Sequence, residues 1–320
     1  LLDVLEQVDL RYWQLTSSDP MPEEFDVAVV EGAVTTEEAA QTLRRVRAAA
    51  DAVIAIGACA VTGGIPAMIS AAENGAKVLG IDRQGTPKNV REDIGAIDSR
   101  LQQASFEEFP EFRIDKKEAI EDIVRYANGF VDYDLVKLWA DESGAMVDWL
   151  TDIIERDGKL VMEFEGGVGD TSDPGRDKAF ATGHSPQKTS LVGKDEQWSF
   201  AQSILAYAAE KGAEARWFCE FVKCEQDASG RVTGVIARDV QGERPYLRIN
   251  ASKGVILSTG GYGNNLEMME DRQAWNQKIR IAAPGSGGNP TGDGIKACLW
   301  AGAAMDQVHT AMVFDRIAIK

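Results

Sequence analysis

Two nearly unbroken apolar runs constrain this chain most: Phe25-Asp26-Val27-Ala28-Val29-Val30 and Asp51-Ala52-Val53-Ile54-Ala55-Ile56. Strands that are apolar on both faces need cover on both faces, the situation of parallel strands in α/β proteins. Between them, after Glu31-Gly32 ends the first run, Thr35 offers a hydroxyl cap with Glu38 three positions later, which predicts a helix start there. That helix runs through Leu43, Val46 and Ala49. The three elements predict a β-α-β unit of right-handed connection and an α/β fold with a parallel sheet in its N-terminal part. Upstream, Leu1, Leu2, Leu5 and Val8 share a helical face and Arg11 to Leu15 read as a strand. The chain opens without Met and without a cap, which predicts further residues before Leu1.

Charge and length narrow the partners. The 34 Lys+Arg against 51 Asp+Glu give a net charge of -17 over 320 residues, which repels nucleic acid and anionic lipid. No run approaches the roughly 18 apolar residues of a membrane span, and the N-terminus lacks the pattern of a secretory signal. No nucleic-acid partner and no membrane span are expected. The four cysteines, Cys59, Cys219, Cys224 and Cys298, are too scattered for a disulfide scaffold, so a cytoplasmic location is the expectation. His184 and His309 are the only histidines, which excludes a histidine-rich metal site.

A second β-α-β unit follows from the residues themselves. The strand Val53–Ile56, a helix through Ala67, Ala71 and Ala72, and a strand from Lys77 to Ile81 ending in Asp82 have the order of a dinucleotide site. In such a site, an acid closing the second strand holds a ribose hydroxyl. Gly64 falls at the third position of the usual Gly-x-Gly-x-x-Gly turn, while the first two fall on Cys59 and Val61. A β-branched residue there keeps the backbone from approaching a pyrophosphate. An ordinary β-α-β without ligand therefore stands beside the nucleotide reading.

The string Asp26-Val27-Ala28-Val29-Val30-Glu31-Gly32-Ala33-Val34, with Glu37-Glu38, Ile56-Gly57-Ala58-Cys59-Ala60 and Gly63-Gly64-Ile65-Pro66, resembles the small subunit of nickel-iron hydrogenases and its complex I relatives. The resemblance implies that residues 1–68 form a Rossmann-like or flavodoxin-like segment. It implies that Cys59 is one of four thiolates on a [4Fe-4S] cluster, with Glu31 near the cluster and a hydrogenase large subunit as partner. A cubane cluster needs four ligands, and the remaining ones would have to lie outside this chain. The other reading of Cys59 is a small apolar residue ending a buried strand.

Further along, Ile69-Ser70-Ala71-Ala72-Glu73-Asn74-Gly75-Ala76-Lys77-Val78-Leu79 resembles the first helix and second strand of the fumarate reductase and succinate dehydrogenase flavoproteins. The segment Gly254-Val255-Ile256-Leu257-Ser258-Thr259-Gly260-Gly261-Tyr262-Gly263-Asn264-Asn265, then Pro284-Gly285, Gly292-Asp293-Gly294 and Ala301-Gly302-Ala303, continues that resemblance in order. It implies that residues 69–320 are an FAD-binding region with a mixed β layer, incomplete at its C-terminus. FAD would be held at Gly63, Gly64, Asp82, Thr259, Gly260, Gly261, Gly292, Asp293 and Gly294. The implied reaction is hydride transfer between flavin and a small, enoate-type substrate. The family's proton-donating arginine and closing glycine-rich segment would follow Lys320, so these 320 residues alone are not expected to turn over.

Helical periodicity marks Lys117–Tyr126, Asp134–Ile154 and Trp198–Lys211, the last with Phe200, Ile204, Leu205 and Ala208 on one face. A glycine-rich segment from Glu165 to Asp170 and then a polar loop to about Lys194 are expected. Strands are expected at Ala215–Cys224 and Arg231–Asp239 around the turn Asp227-Ala228-Ser229-Gly230. Cys219 and Cys224 on the first of these read as packing residues. His184 reads either as a flavin-face or substrate contact or as an ordinary loop histidine. The substrate-binding histidine of the family falls by count on Phe314 rather than His309, and Arg316 has the chemistry of a proton donor without the spacing. Three functions stay open: an FAD-dependent oxidoreductase served by a redox partner, an iron-sulfur electron-transfer subunit, and a non-catalytic join of two fragments.

Overall fold

A computed structural model describes residues 25–31, 50–56, 64–87, 94–127, 129, 131–166, 179–193, 198–242, 246–262, 265–272 and 291–305. The two apolar runs are strands, β1 (Phe25–Glu31) and β2 (Ala50–Ile56). They pair in parallel from Phe25↔Ala50 to Glu31↔Ile56. On the other edge of β2 lies a strand from far along the chain, β11 (Val255–Ile256), also parallel, in the register Val255↔Ile54 and Ile256↔Ala55. The sheet order is β1-β2-β11, so β2 is its central strand.

From β2 the chain enters helix α1 (Ile65–Glu73) and then β3 (Leu79–Ile81). The expected second β-α-β unit would set β3 beside β2. The structure does otherwise: β3 pairs in parallel with β7 (Glu214–Arg216), from Leu79↔Glu214 to Ile81↔Arg216. The reason is topological. A strand has two hydrogen-bonding edges, and those of β2 are taken by β1 and β11. Sequence order alone gives no sign that β11 claims one of them.

A second layer follows. Its strands are β4 (Ile94–Gly95), β5 (Leu160–Phe164) and β6 (Gly183–Lys188), in the order β4-β6-β5. Around them lie α2 (Arg100–Ala104), α3 (Lys116–Tyr126) and α4 (Tyr133–Glu155). Strand β6 replaces part of the polar loop expected to reach Lys194. It is a strand despite Pro186 because the ladder to β4 ends at Ile94↔His184, so position 186 has a partner on only one side. Helices α3 and α4 begin on Asp115 and Asp132, whose carboxylates accept the first backbone N–H groups, for example Lys117 N at 2.9 Å and Asp134 N at 2.9 Å.

Helix α5 (Phe200–Glu210) precedes β7. An antiparallel sheet follows, ordered β10-β9-β8, from β8 (Cys219–Gln226), β9 (Val232–Asp239) and β10 (Tyr246–Asn250). The predicted hairpin turn is present: Asp227 Oδ1 accepts from Ser229 N at 2.9 Å and Gly230 takes φ +89°. The single expected strand Ala215–Cys224 is split between β7 and β8 at Phe218, whose φ of +54° interrupts the extended run. Helices α6 (Leu266–Arg272) and α7 (Asp293–Trp300) complete the described residues.

The main core joins α1, α4, β5 and α5 through Ile65, Ile69, Val147, Leu150, Ile154, Leu160, Met162, Phe200 and Ile204. Burying an Ile or Phe side chain stabilises by about 1.5–3 kcal/mol, whereas a nine-residue helix is marginal alone. The position of α1 is therefore set by packing of Ile65 and Ile69, which also fixes where its first turn points. Among the described residues, no helix is long and apolar enough to cross a membrane.

Candidate functional site

Three glycine-bearing turns meet at the carboxyl end of the β1-β2-β11 sheet. The first is the start of α1. Its N-cap, Gly64, has φ +80°, a conformation that favours glycine. A Cβ on Gly64 would lie 2.9 Å from Ser258 Cβ and 3.0 Å from Ser258 Oγ, so the absence of a side chain lets this helix start touch the turn after β11. That turn, Ser258-Thr259-Gly260-Gly261, is the second element. The third is Gly292-Asp293-Gly294 at the start of α7. A Cβ on Gly294 would overlap Thr259 Oγ1, and Gly292 N–H donates to Gly261 carbonyl at 3.1 Å.

The two helix starts differ electrically. Helix α1 has no side-chain cap hydrogen bond and no acidic residue in its first turn, so no side chain of its own first turn offsets its N-terminal partial charge. Helix α7 carries Asp293 in its first turn. Burial alone would raise the Asp293 carboxyl, but Lys296 at 2.8 Å, the Thr291 hydroxyl and the nearby charge of Arg83 hold it below the usual carboxylate range. Asn265 ties the third turn to α6, donating from Nδ2 to Thr291 carbonyl at 3.0 Å. Gly261 faces open space, with nothing within 4 Å of where its Cβ would be. The arrangement offers an uncapped helix start for an anion, an anchored carboxylate that accepts from hydroxyls, and bare backbone between them. These residues fit the phosphates, ribityl chain and ring of a flavin dinucleotide, which is the donor set the sequence implies.

The structure thus brings together Gly64, Thr259, Gly260, Gly261, Gly292, Asp293 and Gly294. Asp82 follows β3 and lies outside the sheet that carries these turns. Its carboxylate accepts from Gln84 N at 2.6 Å in a local turn. Cys59, Gly63, His309 and Arg316 lie outside the described residues. Sequence reasoning missed Ser258, Thr291 and Lys296; the two-residue and three-residue spacings of Thr291 and Lys296 from Asp293 were the available signal.

His184 belongs to a different layer. It sits on β6, not in a loop, and is fully buried. Its Nδ1–H donates to Thr182 carbonyl at 2.9 Å, which leaves Nε2 to accept from the Ser99 hydroxyl at 2.6 Å. Ser99 also caps α2 through Gln102 N at 3.0 Å, and Gln102 Nε2 reaches Ala181 carbonyl at 2.7 Å. Burial lowers the His184 pKa, against the opposing pull of its backbone bonds and of Asp148 and Glu165. With both ring nitrogens engaged, the histidine joins α2 to β6.

Among the described residues, Cys219, Cys224 and Cys298 are free thiols. Burial pushes Cys224 up to about 11, aided by Cys298, and raises the other two, so these are packing residues. No described group of three or more His, Cys, Asp and Glu is placed to hold a metal.

Two family models match overlapping stretches of the chain. A family model described as "FAD binding domain" matches residues 62–314. Another, described as "NADH ubiquinone oxidoreductase, 20 Kd subunit", matches residues 1–97. Vinyl phenol reductase of Lactiplantibacillus plantarum is 28% identical over 256 residues, covering 78% of this chain and 46% of that protein. The delta subunit of the NAD-reducing hydrogenase HoxS of Cupriavidus necator is 46% identical over 68 residues, 21% of this chain and 32% of that subunit. An open-conformation flavocytochrome c3 fumarate reductase aligns with a TM-score of 0.55 at 22% identity, covering 79% of this chain and 41% of that one. The chain spans less than half the length of the reductases it matches.

Proposed function

Because the chain belongs to the FAD-binding domain family over residues 62–314, we propose that it is the cofactor-holding part of an FAD-dependent oxidoreductase of the fumarate-reductase type. The convergence of the Gly64, Ser258–Gly261 and Gly292–Gly294 turns carries this reading. In it, the N–H groups at the start of α1, together with the preceding Gly63 of the sequence, hold the pyrophosphate, since the first turn of the helix carries no acidic residue to compete. Thr259, Gly260 and Gly261 present backbone to the flavin, and Asp293, held ionised by Lys296, accepts from hydroxyls of the ribityl chain. Ligands of open parallel sheets sit at the carboxyl ends of the strands, where these turns lie.

Bound there, FAD supplies hydride exchange with an activated carbon–carbon bond. The names vinyl phenol reductase and fumarate reductase support a small, conjugated alkene as the substrate class. The chain's own part is to fix the cofactor and to exclude water from the closely packed turns. His184 and Arg316 remain the candidates for substrate contact and proton transfer, with His184 disfavoured by its two engaged nitrogens.

The N-terminal match supports a second element of the proposal, membership of a larger redox assembly, in the cytoplasm, through a hydrogenase-type surface. A [4Fe-4S] cluster at Cys59 would then need ligands from outside this chain. Within the chain, residues 1–68 and 69–320 are read as the two inherited segments, the first supplying a Rossmann-like pair of strands.

The test is spectroscopic. Purified protein should retain a chromophore with the two-banded flavin spectrum and release FAD on denaturation. A colourless protein that also fails to quench added FAD fluorescence would remove the proposal. Broad absorbance with acid-labile sulfide, in place of flavin bands, would select the iron-sulfur subunit.

A further inference from the structure

Resting on the flavin reading above, we infer that Asn265 is a positioning residue of the cofactor site: its side-chain amide fixes the Thr291–Gly292 peptide and, through Thr291, the Asp293 carboxylate. That peptide is gripped at both ends by the segment that leaves β11. Its N–H donates to Gly261 carbonyl at 3.1 Å, and its carbonyl accepts from Asn265 Nδ2 at 3.0 Å. The grip is needed because residue 292 is glycine, at φ +74°. Glycine takes positive and negative φ about equally readily, so the backbone by itself leaves this peptide free to face either way. A larger residue cannot supply the constraint, since a Cβ on Gly292 would overlap Met268 Sδ and lie 3.1 Å from Tyr262 Cβ.

The amide of Asn265 can face only one way. The atom that accepts from Met268 N–H at 3.1 Å must be the oxygen, and the group facing Thr291 carbonyl must be the NH2. The main chain of Asn265 is held as well, its N–H by Tyr262 carbonyl at 2.8 Å and its carbonyl by Met269 N–H at 2.9 Å. One side chain therefore starts α6 and clamps a turn 26 positions away. Beyond the clamped peptide, the Thr291 hydroxyl donates to Asp293 Oδ2, and Lys296 Nζ stands 2.8 Å from Oδ1. The two dihedrals that flank the peptide, ψ of Thr291 and φ of Gly292, lie between that hydroxyl and the carboxylate it orients, so fixing the peptide fixes their relation. Serine or aspartate at 265 would cap α6 about as well. Only a side chain that both accepts and donates performs the two tasks together, which accounts for the amide.

The experiment uses the full chain and FAD itself. Dissociation constants come from quenching of flavin fluorescence for the parent, Asn265→Ser, Asn265→Asp, Asp293→Asn, and the double variant of Asn265→Ser with Asp293→Asn. Denaturant midpoints of the flavin-free proteins are measured beside them. Both replacements at 265 keep an N-cap acceptor, so the midpoints should stay close to that of the parent. FAD binding should weaken about 5-fold in Asn265→Ser, which lacks the donor, and about 10-fold or more in Asn265→Asp, which sets an oxygen against Thr291 carbonyl. On the Asp293→Asn background, Asn265→Ser should cost less than about 2-fold more, because the residue acts through that carboxylate. Parent-like FAD affinity in Asn265→Asp would overturn the assignment. So would full additivity of the two single losses, or midpoints that fall in step with affinity, the mark of a structural role alone. A parent chain that binds no FAD would overturn the flavin reading itself, an outcome distinct from these.

Discussion

A methyl group at position 294 has nowhere to go, because it would occupy the volume of Thr259 Oγ1. Gly294→Ala should destabilise the protein by about 1–3 kcal/mol, the usual cost of overpacking. The added variant Thr259→Ala should restore most of it, and thermal melts of the single and double variants check this. His184 makes a second prediction. Its folded pKa lies below the unfolded value of 6.5, so below pH 6.5 the unfolded chain binds the proton first. Stability is therefore full above pH 6.5 and falls as the pH drops through that value toward the folded pKa. Denaturant midpoints measured from pH 7.5 to 5 should show the decline. His184→Gln, which has no proton to gain, should start from lower stability and show a flatter profile. Individual residues were unevenly legible. The glycines of positions 260, 261, 292 and 294 announce turns by composition, while the burial of His184 is invisible because its partner, Ser99, is 85 positions away.

At the scale of elements, the long amphipathic helices were readable to within a residue or two, as α3 and α4 show, because their periodicity and aspartate caps are local signals. Strand β6 was not, since Pro186 and short polar residues hide a strand whose pairing depends on where β4 stops. The neighbour of β2 was also hidden: no local pattern reports that a strand at position 255 takes an edge which the chain order offers to β3. Strand β2 is accordingly the element on which most depends. Position 54 faces a partner on each side, Val29 and Val255. Ile54→Pro should break the ladder and destabilise the fold, because proline removes a hydrogen bond from the central strand. Retained flavin per chain, read from absorbance, should fall with it. A proline variant that keeps full flavin content would show that the sheet does not position the Gly64 turn.

For the whole molecule, the boundary expected near residue 68 crosses a sheet. Domains that fold alone keep their own cores and meet through linkers, whereas here β1, β2 and β11 share one ladder. Unfolding followed by calorimetry should therefore give a single cooperative transition, with calorimetric and van't Hoff enthalpies equal. Two separable transitions would restore two independent domains. A chain beginning at Ile65 should likewise lose flavin binding, because β11 would have no partner strand.

The β2–β11 pairing carries a wider lesson about how proteins are assembled. A hydrogen-bond ladder joins main-chain atoms, which are identical in every residue but proline. Strands of unrelated ancestry are thus mechanically interchangeable, provided that their direction and rung spacing agree. What a borrowed strand imports is its alternating side chains and whatever stands at its tip. A splice within a sheet can in this way hand an old binding cleft a new ligand while leaving its scaffold in place.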